Sequence, residues 1–299
     1  MYLVFLGTGG GVPTPERGLS SFVLNYEGEL LMFDCGEGTQ HQMIKAKIGF
    51  GRETKIFVTH LHGDHVLGLP GLIQTMSLLG RTKKLEVYGP RGLKEFLEAA
   101  RTYIQFNLRF PLEVKEISEG TVYKNKRYKV LARWAEHSIP NLAYAFVESK
   151  KPGKFHPEKA LELGVPKGPL WRRLQHGKKV KLKNGRIIEP SEVVEPPRPG
   201  IKIVYSGDTK PCRAVLRLAK DADLLIHECT FDDSLAEKAE VEWHSTPSGV
   251  AELAKKASVK NLVLTHISAR YKDSKVILEQ AKKIFSNVRV AEDLMRIEL

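Results

Sequence analysis

The stretch Lys55–Leu72, KIFVTHLHGDHVLGLPGL, decides how the rest of the chain is read. An apolar run of strand length, Lys55–Thr59, ends in three imidazoles and a carboxylate within six residues, His60, His62, Asp64 and His65. Histidines two apart on a core-facing strand would bury several polar nitrogens at a desolvation cost. On a loop at the strand's end, leading into a helix predicted from Leu67, they can converge on a cation. Neutral imidazole nitrogen and carboxylate oxygen suit Zn²⁺. Four such donors in six residues crowd one tetrahedral ion. The simplest resolution is two ions, with His60 and His62 on one and Asp64 and His65 on the other.

Short apolar runs alternate with helical patterns outward from this point. Strands are predicted at 2–6, 30–34, 55–59, 85–88, 128–134, 142–148, 202–205, 223–228 and 261–265, and helices at 39–47, 67–80, 91–105, 211–219, 246–257 and 273–285. This alternation, with some strand pairs joined by short Gly-rich turns, predicts an α/β architecture of mixed sheets with helices outside. Further donors stand at predicted strand ends, His137 after YKVLARWAE, Asp208 in KIVYSGDT and His266 closing NLVLTH. Strand ends are where ligands gather in α/β sheets.

The 299 residues are predicted to form one domain, and no apolar run approaches the roughly 20 residues that cross a bilayer. The opening MYLVFLGTGG reads as a first strand and not a signal peptide, so the expected location is the cytoplasm, with no membrane partner. Cys35, Cys212 and Cys229 are odd in number and widely spaced, which excludes a disulfide framework and a thiolate zinc site and leaves three small hydrophobes. The net charge of +12 directs attention to polyanions. Most of it falls in 150–190, where 12 Lys or Arg face 3 Glu. This segment reads as an inserted flexible arm with too few apolar residues for a core of its own, carrying a hairpin at VKLKNGRII.

These motifs resemble the metallo-β-lactamase superfamily, whose fold is an αββα sandwich of two mixed sheets with outer helices. They are most similar to its tRNA 3′-processing endonucleases (tRNase Z, or RNase Z), short form. The resemblance rests on LGTGGGVP, FDCGEGTQ, THLHGDH, His137, SGDT, HECTF and THISARY, and spans nearly the whole chain. It implies two zinc ions per subunit, with His60, His62 and His137 on one, Asp64, His65 and His266 on the other, and Asp208 between them. Asp34 would stand behind the ligands and orient a histidine.

The activity implied is cleavage of precursor tRNA 3′ of the discriminator nucleotide, which removes the trailer and leaves a 3′-hydroxyl. His244, polarised by Glu228, would protonate the leaving oxygen, and Asp64 would take the proton of the attacking water. His227, next to Glu228 on a strand, is expected to face the other way. The arm would be a flexible exosite for the tRNA elbow, acting across a homodimer. Its Gly164-Val165-Pro166-Lys167-Gly168-Pro169 motif and its cations Arg172, Arg173, Lys178 and Lys179 would lie at the RNA. Arg17 and Arg270 are expected to meet phosphates near the cut, and Tyr271 is expected near the acceptor stem. His41, His156 and His176 are expected to be solvated or locally paired.

Two departures stand out: Cys229 occupies the usual alanine of the HEAT motif, and Pro15 replaces the lysine of a PxKxR loop, which puts discrimination against CCA-bearing tRNA in doubt. The rival readings are another hydrolase on this scaffold (phosphodiesterase, thioesterase or arylsulfatase-like) and an RNA-binding protein with a structural metal. The first leaves the basic arm unexplained, and the second lacks the cysteine-rich donors that close a structural zinc site.

Overall fold

The computed structural model describes residues 1–299, which divide into two units: 1–125 with 129–146 and 202–299, and 126–128 with 147–201. The larger unit is built on two seven-stranded sheets. In the first, strands run in the order Arg296–Glu298, Tyr2–Gly7, Ser21–Tyr26, Glu29–Phe33, Thr54–Phe57, Leu85–Gly89 and Leu112–Glu116. Pairing is antiparallel up to Glu29–Phe33 and parallel beyond it. In the second the order is Val288–Val290, Leu262–Thr265, Leu224–Glu228, Lys202–Tyr205, Asn141–Glu148, Tyr128–Ala135 and Gly120–Lys124, with parallel pairing across the first four.

Strand alternation distributes the apolar residues to two separate layers. Val4, Leu6, Val23, Met32, Ile56 and Val87 pack with Met43, Leu69, Leu72, Ile73, Met76 and Leu97 of the helices that cover the first sheet. The intervening residues face the other sheet, and several of them are aromatic. Phe22 meets Tyr205 edge-on at 5.0 Å, and Tyr144 lies 5.6 Å from Phe57 and 6.0 Å from Phe33. Burial of both faces is why these strands read as continuous apolar runs.

One polar device sits in this layer. Lys55 is 2% exposed and its ammonium lies 2.5 Å from Glu29, which is 3% exposed. Burial lowers the lysine's pKa, but the Glu29 hydrogen bond and charge outweigh it and raise it.

Every strand and helix given a range from the sequence has an observed counterpart within a few residues, and the larger unit adds strands that were given no range, among them Ser21–Tyr26, Leu112–Glu116 and Gly120–Lys124. The last two are half-exposed and charged, so they lack an apolar run. The start of the helix after the histidine cluster is corrected. A single turn, Gly63–Val66, precedes the helix Gly68–Leu78, so Asp64 and His65 are helical and only His60 and His62 lie in the loop.

The smaller unit holds helices Pro157–Glu162, Pro169–Gln175 and Pro190–Val193 and a two-stranded hairpin, Val180–Lys181 with Ile187–Ile188. The expectation that this segment lacks a core is corrected. Ala160, Val165, Leu174, Val180, Ile188 and Val193 bury one another, flanked by Phe155 and Trp171 in ring contact at 5.1 Å. Few apolar residues suffice because proline opens each helix with its φ already set. The hairpin bends over Lys183-Asn184, with Gly185 at φ +87° closing it. Lys151 and Arg198 exchange two backbone hydrogen bonds of 3.0 Å, so the segment's two ends lie side by side.

Candidate metal centre

His60, His62, His137 and Asp208 bring one ligand atom each within 4.8 Å of one another, and so do Asp64, His65, Asp208 and His266. Each residue stands just past a strand or in the turn that follows one, so strand ends bring all of them to one rim. In the first group, His62 Nδ1 lies 3.1 Å from His60 Nε2 and 3.2 Å from His137 Nε2, and His60 Nε2 lies 3.7 Å from Asp208 Oδ2. In the second, His266 Nε2 lies 3.2 Å from Asp64 Oδ2 and 3.1 Å from Asp208 Oδ2, and His65 Nε2 lies 3.3 Å from Asp208 Oδ1.

Bonds of 2.0–2.1 Å to a tetrahedral ion imply donor separations of about 3.4 Å, the spacing of both sets. His65 Nε2 and Asp208 Oδ1 are buried with no hydrogen-bond partner, which a divalent cation would supply. The field agrees. Burial disfavours charge on His65, yet Asp208, Asp34 and Asp64 together raise its pKa well above the usual histidine value, so this spot attracts positive charge. The residues fit a pair of divalent ions.

The ligands are held from behind. Asp34, fully buried at φ +56°, accepts from the Thr59 amide at 2.7 Å, from His65 Nδ1 at 2.8 Å and from the Tyr205 hydroxyl at 2.8 Å. Thr59 Oγ1 sits 2.9 Å from His60 Nδ1, Thr230 Oγ1 sits 2.8 Å from His266 Nδ1, and the Trp243 carbonyl sits 3.2 Å from His137 Nδ1. These contacts occupy the nitrogen facing away from the centre and fix ring orientation. The Gly11 amide donates to Asp64 Oδ2 at 2.7 Å. Gly10 packs flat on the His266 ring, where an added Cβ would come within 2.5 Å, which accounts for one glycine of the GTGGG run.

Beside the donors, His244 Nδ1 lies 2.8 Å from Glu228 Oε1. Glu228 is wholly buried and also accepts from the Thr209 and Thr230 amides and the Thr230 hydroxyl. Burial lowers the imidazole's pKa, but the Glu228 charge and hydrogen bond lift it to about 9. The His244 ring stacks on His266 at 5.5 Å, and both line a cavity of about 260 Å³ with His62, Asp64 and Arg270.

Arg270 stands at that cavity with its guanidinium 4.9 Å over the Phe231 ring. The reading of Arg17 as a phosphate contact is corrected: it turns inward, donating to Thr8 Oγ1 and the Ala291 carbonyl, both at 2.7 Å, near Asp293. His227 is buried away from the donors, with Nδ1 2.8 Å from the Glu228 carbonyl. The Tyr271 hydroxyl accepts from the Asp232 amide at 2.7 Å. His156 pairs with Glu195 at 3.0 Å, His176 donates to the Arg172 carbonyl, and His41 is exposed. All three cysteines are free and buried.

In the smaller unit Gly164, at φ +79°, follows the helix Pro157–Glu162, and Pro169 opens the next helix after Gly168. Pro166 lies between them, exposed, as are Arg172, Arg173, Lys178 and Lys179. Sequence reasoning missed Thr59, Tyr205, Thr230 and the Gly11 amide. The threonines directly precede His60 or follow the Glu228 strand, the one signal available, but Asp34 and His266, which they also meet, lie 25 and 36 residues away along the chain.

A family model described as a beta-lactamase superfamily domain matches residues 174–267, and another, described as anti-Pycsar protein Apyc1, matches residues 1–147. Ribonuclease Z of Methanosarcina acetivorans is 52% identical over 298 residues, covering 99% of this chain and 97% of its own. The chain belongs to the ribonuclease Z family.

Ribonuclease Z of Methanothermobacter thermautotrophicus is 47% identical, covering 100% of this chain and 97% of its own. The crystal structure of human tRNase Z, short form, superposes with a TM-score of 0.74 at 33% identity, covering 100% and 99% of the two chains. The metallo-β-lactamase fold protein YhfI from Bacillus subtilis, at 17% identity and a TM-score of 0.70, shares the fold. The protein is a ribonuclease of the metallo-β-lactamase superfamily, and none of its helices is long and apolar enough to cross a membrane.

Proposed function

We propose that the enzyme cleaves precursor tRNA on the 3′ side of the discriminator nucleotide, releasing the trailer and leaving a 3′-hydroxyl. The observation that carries this is the Glu228–His244 pair at 2.8 Å, set against two contiguous donor sets that share Asp208. His60, His62, His137 and Asp208 would hold one Zn²⁺, and Asp64, His65, His266 and Asp208 a second. Bound there, the pair would activate water and neutralise phosphate charge.

The chain's own groups do the rest. A ribose alkoxide leaves poorly without a proton. His244, kept protonated by Glu228, supports donation of that proton to the departing 3′ oxygen. Asp64 is less suited to storing a proton: burial raises its pKa, but His65 and His266 outweigh this and drive it well below the carboxylate range. Its assigned part is to hold His266 and orient the attacking water. Arg270 would meet a phosphate on the tRNA side.

The basic segment is assigned to the body of the tRNA. All twelve Lys and Arg of 150–190 are exposed, Arg172, Arg173 and Lys178 among them, and they suit a phosphate backbone. A homodimer and a cytoplasmic location accompany this reading. Mapping the cut on a 3′-extended precursor, with and without chelator, tests it. Cleavage beside the discriminator that chelator abolishes is expected. Thioester hydrolysis without tRNA cleavage, or RNA binding without cleavage, would overturn it.

A further inference from the structure

A second cavity, of about 590 Å³, adjoins the metal centre and is lined by Pro90, Arg91, Trp134, His137, Ile139 and Pro140. It shares no lining residue with the catalytic cavity, but His137 of its wall adjoins that cavity's wall, its ring 5.0 Å from that of His62 and 5.2 Å from that of His244. No carboxylate lines it. Arg91 is exposed and ion-pairs with no acid. Trp134 is half-buried, and its indole N–H donates to no protein group. An indole beside proline and isoleucine walls, with one free guanidinium at the edge, is the composition that takes a nucleobase and its phosphate.

We propose that this cavity binds the first nucleotide of the 3′ trailer, its base stacked on Trp134 and a trailer phosphate at Arg91. The assignment rests on the tRNA-processing reading above. His244 protonates the oxygen that stays with the tRNA, so the tRNA lies on the His244 and Arg270 side of the scissile phosphate. The trailer then continues past His137, where the second cavity begins. Charge selects a polyanion, and continuity with the centre selects the strand being cut.

The test compares precursor tRNAs whose first trailer nucleotide carries its base or is abasic. Wild-type enzyme should favour the base-bearing precursor about tenfold in kcat/KM, the size of one base–aromatic stack. Trp134→Ala should bring that ratio to about one, and Trp134→Phe should retain most of it. Losses from misfolding or reduced metal content lower both rates and cancel in the ratio. Arg91→Ala should lower both rates alike, because a phosphate contact carries no base information. Equal cleavage of the two precursors by wild type, or an undiminished preference in Trp134→Ala, overturns the assignment. Failure of the wild type to cut beside the discriminator would overturn the tRNA-processing reading instead, and the same gel reports it.

Discussion

Asp34 binds no ion in either donor set, yet it fixes more of the centre than any single ligand. Its carboxylate holds the Thr59 amide, His65 and Tyr205 at once, and thereby sets the strand end that carries His60. Asp34→Asn removes the charge that His65 Nδ1 faces. Metal affinity should fall about 10- to 100-fold, measured by competition with a chelator. At Glu228 the readout is a pH profile. His244 acts as an acid in its protonated form, which persists below a pKa of about 9. The rate should therefore decline on the alkaline side as pH rises through that value. Glu228→Gln removes the partner that raises the pKa, so the limb should move to lower pH, toward the ordinary histidine value near 6.5. An unmoved limb in kcat against pH would dismiss His244 as the proton donor. Donor identity was legible along the chain because histidine and aspartate cluster where core strands end. The supporting groups Thr230, Tyr205 and the Gly11 amide were not, because tertiary packing alone brings them to His266, Asp34 and Asp64.

At the scale of elements, the turn carrying Asp64 and His65 and the helix that Gly68 opens must both lie almost in contact with the turn after Asp34. A Cβ on Gly68 would come within 2.0 Å of the Gly36 carbonyl oxygen, and one on Gly36 within 2.5 Å of the Asp64 carbonyl oxygen. These two glycines explain why the sequence writes FDCGEG and HVLG around the donors. Gly68→Ala should push the helix away and weaken metal binding, with chelator sensitivity of the purified enzyme as the measurement. Deeper in the sandwich, Lys55→Met leaves the buried Glu29 carboxylate without its lysine. A loss of about 3 kcal/mol in urea unfolding is expected, the cost typical of breaking a buried ion pair from one side. The sequence showed Lys55 only as the first residue of a strand. Its burial follows from strand parity, which puts it on the same face as Phe57.

At the scale of the whole molecule, the basic segment carries charge that the catalytic rim does not need. Replacing residues 152–197 with a short Gly-Ser linker is practical because Lys151 and Arg198 already pair across the base. The reading from sequence alone, which ended the arm near residue 190, would strand Glu195 and its neighbours. Processing of precursor tRNA should fall by orders of magnitude, and far more than hydrolysis of a small phosphodiester measured on the same preparation. Processing by the intact enzyme should weaken steeply between about 50 and 200 mM salt, as binding to many phosphates requires. Equal losses on both substrates would detach the segment from RNA binding.

Most strands and helices, the candidate donors and the basic insertion were legible in the sequence, because periodicity, ligand chemistry and charge are local properties of a chain. Tertiary structure alone decided that Arg17 faces inward, that His65 belongs to a helical turn, and that six dispersed apolar residues give the insertion a core. It also decided that Trp134 and Arg91 share a cavity beside His137. Each of these depends on which distant segment a side chain meets, and no spacing along the chain encodes that distance.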